Sequence, residues 1–211
     1  MNVQDWGLID FSEAWRRQRE LVDAILRSNQ PDTLVLCEHP AVITLGRNSK
    51  EDSVSEDRDV LAAQGIEVVE INRGGEATVH SPGQLVGYPI FNLTRTKQDL
   101  HWFLRTMEQS VIDAIASYDV LGNRVRGLTG VWIDDIRKIC AIGIHCSRWV
   151  TSHGFALNVH NDMSLFDSII PCGIRERGVT SLQIETGSVF DMDEVKNAVK
   201  KAFTTNFAMS A

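Results

Sequence analysis

No stretch of this 211-residue chain holds the roughly 18 consecutive apolar residues that a membrane-spanning helix requires, so no transmembrane helix is expected. The opening residues, Met1-Asn2-Val3-Gln4-Asp5-Trp6, lack the basic start and apolar continuation of a signal peptide, and a cytoplasmic protein is the reading that follows. Cysteine is scarce and poorly spaced for metal or redox work. The four, Cys37, Cys140, Cys146 and Cys172, form no C-x-x-C pair, so free thiols are expected. The six histidines are scattered and no H-E-x-x-H occurs, so no metal site is expected. A G-x-S-x-G nucleophile elbow and a G-x-x-x-x-G-K-[ST] phosphate loop are both missing. Positive charge is in deficit, 21 Lys and Arg against 28 Asp and Glu, for a formal net charge of -7. That balance argues against a protein built to coat nucleic acid, and an acidic partner has to find a local basic patch.

What remains is the composition of a globular protein, 43% hydrophobic and 23% charged, on a chain long enough to bury a sizeable core. One domain over 1–211 is expected, without repeats, low-complexity tracts or linkers. Apolar spacing predicts a helix over 13–28 with Ser12 as its N-cap, and a second over 99–118. Short apolar runs predict strands over 33–37, 41–45, 66–71 and 85–91, with a charged loop at 50–59. Further strands are expected over 129–133, 138–146 and 154–159, the first two joined by a turn at Asp134-Asp135. Asp191-x-x-Glu194 has the form of a capping box opening a C-terminal helix. Strands arrive in runs instead of alternating strictly with helices, which favours an α+β domain with a mixed sheet and packed helices.

A nucleophilic cysteine needs a reachable thiolate supported by positive charge. Cys37 closes the apolar run Leu34-Val35-Leu36, and Cys140 and Cys146 lie in a strand, where a small buried hydrophobe is the plain expectation. Cys172 stands between Pro171 and Gly173, outside regular structure, with Arg175 and Arg177 close behind. Strand alternation nevertheless places Lys138 on the same face as Cys140, which keeps Cys140 open as a second choice. The polar segment 72–84 is too long for a mere connection, and its three glycines leave backbone amides open to a ligand. Arg73, Thr78, His80 and Gln84 could add polar contacts there.

Taken in order, Arg73-Gly74-Gly75-x-x-Thr78-x-His80-x-Pro82-Gly83-Gln84, Gly130-Val131-Trp132, Lys138-Ile139, Ala141-Ile142-Gly143, His153-Gly154-Phe155-Ala156-Leu157-Asn158 and Pro171-Cys172-Gly173-Ile174 form a specific set. With it the chain resembles the lipoyl(octanoyl) transferases. The resemblance implies the catalytic core of the biotin and lipoate ligases, itself related to class II aminoacyl-tRNA synthetases. It implies octanoyl transfer from octanoyl-acyl carrier protein to a lysine of lipoyl domains, in 2-oxoacid dehydrogenases and the glycine-cleavage H protein, without ATP, metal or other cofactor. Cys172 falls on the acyl-carrying cysteine and Lys138 on the lysine that lowers its pKa. The substrate-binding segments fall on Arg73, Gly74, Gly75, Glu76, Ala77, Thr78, Val79 and His80, on Ala141, Ile142 and Gly143, and on Gly154, Phe155 and Ala156. Val79 occupies a position that is usually aromatic in the family, so a reshaped pocket wall is expected there.

Two other readings share these residues: an ATP-dependent lipoate or biotin ligase on the same fold, and a catalytically silent ligand-binding relative. A ligase has no use for a nucleophilic cysteine. Because both carrier and acceptor domains are expected to be acidic, a positive surface at the pocket mouth is expected, drawn from Arg73, Lys138, Arg148, Arg175 and Arg177.

Overall fold

A computed structural model describes residues 1–28, 30–169 and 177–209. The strands are β1 (Asn2–Leu8), β2 (Thr33–Glu38), β3 (Val42–Leu45), β4 (Glu67–Glu70), β5 (Ala77–His80), β6 (Gln84–Ile90), β7 (Asn123–Val125), β8 (Leu128–Ile133), β9 (Arg137–Ser147), β10 (Val150–Asn158) and β11 (Gly178–Val179). The helices are α1 (Phe11–Ser28), α2 (Arg58–Ala63), α3 (Leu100–Ala116), α4 (Leu182–Thr186) and α5 (Met192–Met209).

The run Leu34-Val35-Leu36-Cys37 has no polar face, so a strand built from it must be covered on both sides. In the structure Leu34 and Leu36 pack into the core beneath α3 and α5, while Val35 and Cys37 pack with Ala14 and Ile25 of α1 on the opposite side. The same division holds on β6, where Leu85 faces one core and Val86, Tyr88 and Ile90 the other. The large sheet therefore has the order β1-β2-β6-β10-β9-β8-β7, with helices on both faces. β1 pairs parallel to β2, the remaining neighbours run antiparallel, and β11 joins β9 in parallel, so the sheet is mixed as expected. A second sheet, β4-β3-β5, stands beside it with its own apolar cluster of Ile43, Leu61, Ile66, Val79 and Phe166.

Several local expectations need correction. Asp10, not Ser12, caps α1: its carboxylate accepts the Glu13 N–H at 3.0 Å, and its carbonyl accepts the first helical bond from Ala14. β1 was not anticipated, because its partly polar sequence forms an edge strand half in water. The charged stretch 50–59 is not all loop, since α2 opens at Arg58 with Asp57 accepting the Asp59 N–H. Nor is 72–84 all loop, because β5 occupies its middle and pairs antiparallel with β3. The Asp134-Asp135 turn is present as expected, with φ of 51° and 63° and the Ile136 N–H donating back to the Ile133 carbonyl at 3.1 Å.

Candidate active site

Between the two sheets, beside the start of α1, lies a cleft of about 350 Å³. β5 and the segment before it supply one wall, β9 and β10 the other, and Phe11, Val86 and Tyr88 line it as well. Glycine sets the spacing. A Cβ on Gly143 would stand 2.7 Å from the Gly74 carbonyl oxygen, and Gly74 N–H donates to the Ile144 carbonyl at 2.8 Å. At this point the sheets meet backbone to backbone, with the Arg73 side chain alongside.

Lys138 reaches this cleft because β9 breaks its own alternation. Val131 pairs with Cys140 and Trp132 with Lys138, which leaves Ile139 unpartnered across the ladder as a β-bulge. Ile139 and Cys140 both enter the core, whereas Lys138 and Ala141 line the cleft. The expectation that Lys138 and Cys140 share a face is therefore overturned. Burial drives the Cys140 thiol pKa upward in spite of nearby Lys138. Cys37 is likewise raised by burial, and half-buried Cys146 is raised by desolvation. None of the three is an activated thiol. The Lys138 ammonium sits 4.7 Å from the centre of the Trp132 ring, and Arg177 lies 5.3 Å from the same ring.

The other end of the cleft is polar and buried, with neutral histidines around the Arg73 guanidinium. Arg73 is 8% exposed and donates to the Thr44 carbonyl at 2.8 Å and the Thr44 hydroxyl at 3.0 Å. His80 Nδ1–H donates to Gln84 Oε1 at 2.8 Å, which leaves Nε2 as an acceptor. Burial is the main cause that lowers the His80 pKa to about 3, with His39 contributing. Desolvation also brings His153 to about 3 and His39 to about 4. Gln84 continues the chain by donating to Asn158 at 2.8 Å; Asn158 donates to the Thr180 carbonyl at 2.9 Å, and Thr180 N–H to the Lys138 carbonyl at 3.0 Å. A line of hydrogen bonds therefore joins the two ends.

Arg73, Gly75, Glu76, Ala77, Thr78, His80, Lys138, Ala141, Ile142, Gly143, Gly154, Phe155 and Ala156 all line the cleft. Gly74 acts from behind the wall, through its bond to Ile144. Val79 is 1% exposed and packs inside the small sheet's core, so it is not among the lining residues. Cys172 and Arg175 lie outside the described residues; the last described residue before them, Ile169, bridges to Val54, and the first after them is Arg177. Two residues on, Val179 pairs with Lys138 and lines the cleft. Of the cations expected at the mouth, Arg73 is buried and Arg148 sits in the β9–β10 turn, ten residues and about 30 Å along the strand from Lys138. Sequence reasoning missed Phe11, Tyr88 and His153 as lining residues. The dipeptide His153-Gly154 held the signal for the last, because His153 takes a φ of 57° mid-strand.

A model of the lipoyl protein ligase A/B catalytic domain matches residues 10–204. An octanoyltransferase of Cytophaga hutchinsonii is 41% identical over 98% of this chain and 92% of its own length. Among solved structures, a bipartite lipoate protein ligase from Thermoplasma acidophilum matches with a TM-score of 0.77 at 19% identity, over 98% of this chain and 83% of that one. The biotin protein ligase of Aquifex aeolicus matches with a TM-score of 0.56 at 16% identity, over 99% of this chain and 69% of that one. The expected ligase-like core is borne out, and the chain belongs to the lipoyl protein ligase A/B catalytic domain family.

Proposed function

We propose that this chain, as one catalytic domain over 1–211, is an octanoyltransferase of protein lipoylation that works through a thioester on Cys172. The curated relatives at 41–48% identity are octanoyltransferases, and octanoyl transfer is the activity of this chain. The observation that carries the rest is the placement of Lys138, a half-buried cation on the wall of an apolar-floored cleft, paired to the strand that follows the Cys172 segment. Every described cysteine is held away from reactivity by burial, which supports Cys172 as the nucleophile.

A free thiol near pKa 8.5 is mostly protonated at neutral pH, and a neighbouring ammonium favours the thiolate. The Cys172 thiolate attacks the carbonyl carbon of octanoyl-acyl carrier protein; the bond to the carrier sulfur breaks, and Lys138 gives that sulfur its proton. The lysine amine of a lipoyl domain then attacks the Cys172 thioester. The new amide forms as the bond to Cys172 breaks, and Lys138 takes the amine's proton. The first step exchanges one thioester for another, and the second runs downhill to an amide. The reaction takes place in the cytoplasm.

Intact-protein mass spectrometry after mixing with octanoyl-acyl carrier protein, without ATP, tests this. One octanoyl adduct is expected on the parent and none on Cys172→Ser. An adduct on Cys140, or a strict need for ATP, would overturn it.

A further inference from the structure

Helix α3 carries a carboxylate where its apolar face should be. Glu108 has a side chain only 1% exposed, and burying such a charge is costly unless every partner is in place. One oxygen accepts from Arg105 at 2.6 Å and Arg124 at 3.1 Å. The other accepts the backbone N–H of Gly130 at 3.1 Å. The octanoyl-transfer steps make no use of this group.

Gly130 is the link to the cleft. Its φ of 128° is open to glycine alone, and a Cβ there would stand 2.6 Å from the Cys140 carbonyl oxygen. Beyond that position lie Lys138 Cε and Cδ, at 3.6 and 3.7 Å. The lysine stem therefore runs across the bare Cα of Gly130, and two residues further along β8 the Trp132 ring receives its ammonium at 4.7 Å. The bulge that turns Lys138 toward the cleft lies opposite this same stretch of β8.

We propose that Glu108 is a positioning residue for Lys138. By clamping the Gly130 peptide it fixes the strand over which the lysine stem lies, and thereby the place of the ammonium. This inference rests on Lys138 acting in octanoyl transfer, so its test includes a readout that needs neither Cys172 nor an acyl donor.

The lysines of the intact enzyme are reductively methylated with carbon-13, and the Lys138 signal is identified by its loss in Lys138→Arg. In the parent, the indole face shifts that signal upfield of those from exposed lysines. Glu108→Ala should move it to the exposed-lysine position, and slow octanoyl-enzyme formation about tenfold or more. Glu108→Gln, which keeps an oxygen for the Gly130 N–H, should hold the signal near its parental position and restore most of the rate. If Glu108→Ala does not fold, Glu108→Asp keeps the charge but withdraws it from Gly130, and the signal should again move. An unmoved signal in a folded Ala or Asp variant, or equal displacement in Ala and Gln, overturns the proposal. A moved signal in an enzyme that never becomes octanoylated leaves the positioning role standing and removes the transfer reading instead.

Discussion

The two ends of the cleft are built on opposite principles. At the β5, β6 and β10 end, Arg73, His80, His39 and His153 are buried, and burial keeps the three histidines neutral. At the β8, β9 and β11 end, Lys138 and Arg177 remain partly in water, stacked near a single indole. The first end has its polar groups committed to protein partners, so its shape is set before a ligand arrives. The second holds the cation to which the proposed mechanism assigns proton transfer. On the proposed mechanism, binding and chemistry are separated along one cleft, whose two ends are joined by the hydrogen bonds from Gln84 to Lys138.

The sharpest way to break this contrast is Lys138→Met. The fold should survive, because the side chain is only half buried, while single-turnover octanoylation should fall by about two to four orders of magnitude. The alkylation profile of Cys172 should also shift to higher pH; an unchanged profile removes Lys138 from nucleophile activation.

The end with the buried histidines makes its own prediction through acid stability. His39, His80 and His153 have folded pKa values of about 4, 3 and 3, below the ordinary 6.5. The unfolded chain therefore binds more protons below pH 6.5. Stability is full above that value and is lost as pH falls toward 4 and then 3. Each histidine contributes a slope of up to about 1.4 kcal/mol per pH unit. Denaturant titrations at several pH values measure it, and His80→Gln should remove about one proton from the dependence. A flat stability between pH 6 and 4.5 would mean these rings are not held neutral.

A smaller effect is expected at Val79. Because it is packed in the small sheet's core, Val79→Tyr should cost about 1–3 kcal/mol of stability through overpacking. Preference among acyl-chain lengths should stay as it was. A changed preference at unchanged stability would return Val79 to the cleft wall. The smallest expected change belongs to Arg177→Glu, which should raise the Michaelis constant for the carrier-borne donor a few-fold and leave that for a small octanoyl thioester alone. Equal losses with both donors would make Arg177 part of the cleft's architecture, through its bond to the Asp135 carbonyl.

Much of this was legible in the residues. Leu34 to Cys37 declares a doubly covered strand, and the glycine pattern from Gly74 to Gly83 marks a close backbone approach. Other features are set by tertiary contacts that no local pattern carries. Alternation along β9 misplaced Lys138 relative to Cys140, because a bulge inserts one residue without any glycine or proline to announce it. β5 was hidden inside a polar segment, since three of its four residues, Ala77, Thr78 and His80, line a cleft. Asp10 displaced Ser12 as the cap of α1 simply by standing two residues earlier, at the position from which it accepts the Glu13 N–H. Glu108 gave no local signal, because its burial depends on Arg124 and Gly130, which only the fold brings to it.

The contact of Gly143 with Gly74 bears on how such an enzyme can diverge. Where two sheets are spaced by side chains, a single substitution widens or narrows the gap and selection has a dial to turn. Here the spacer is peptide against peptide, locked by the Gly74–Ile144 bond, and any added carbon at Gly143 collides with main chain. That seam offers evolution no graded adjustment. Under the proposed reading, a change of acyl preference falls on the side chains that line the cleft, such as Phe11, Val86 and Phe166, and not on the seam.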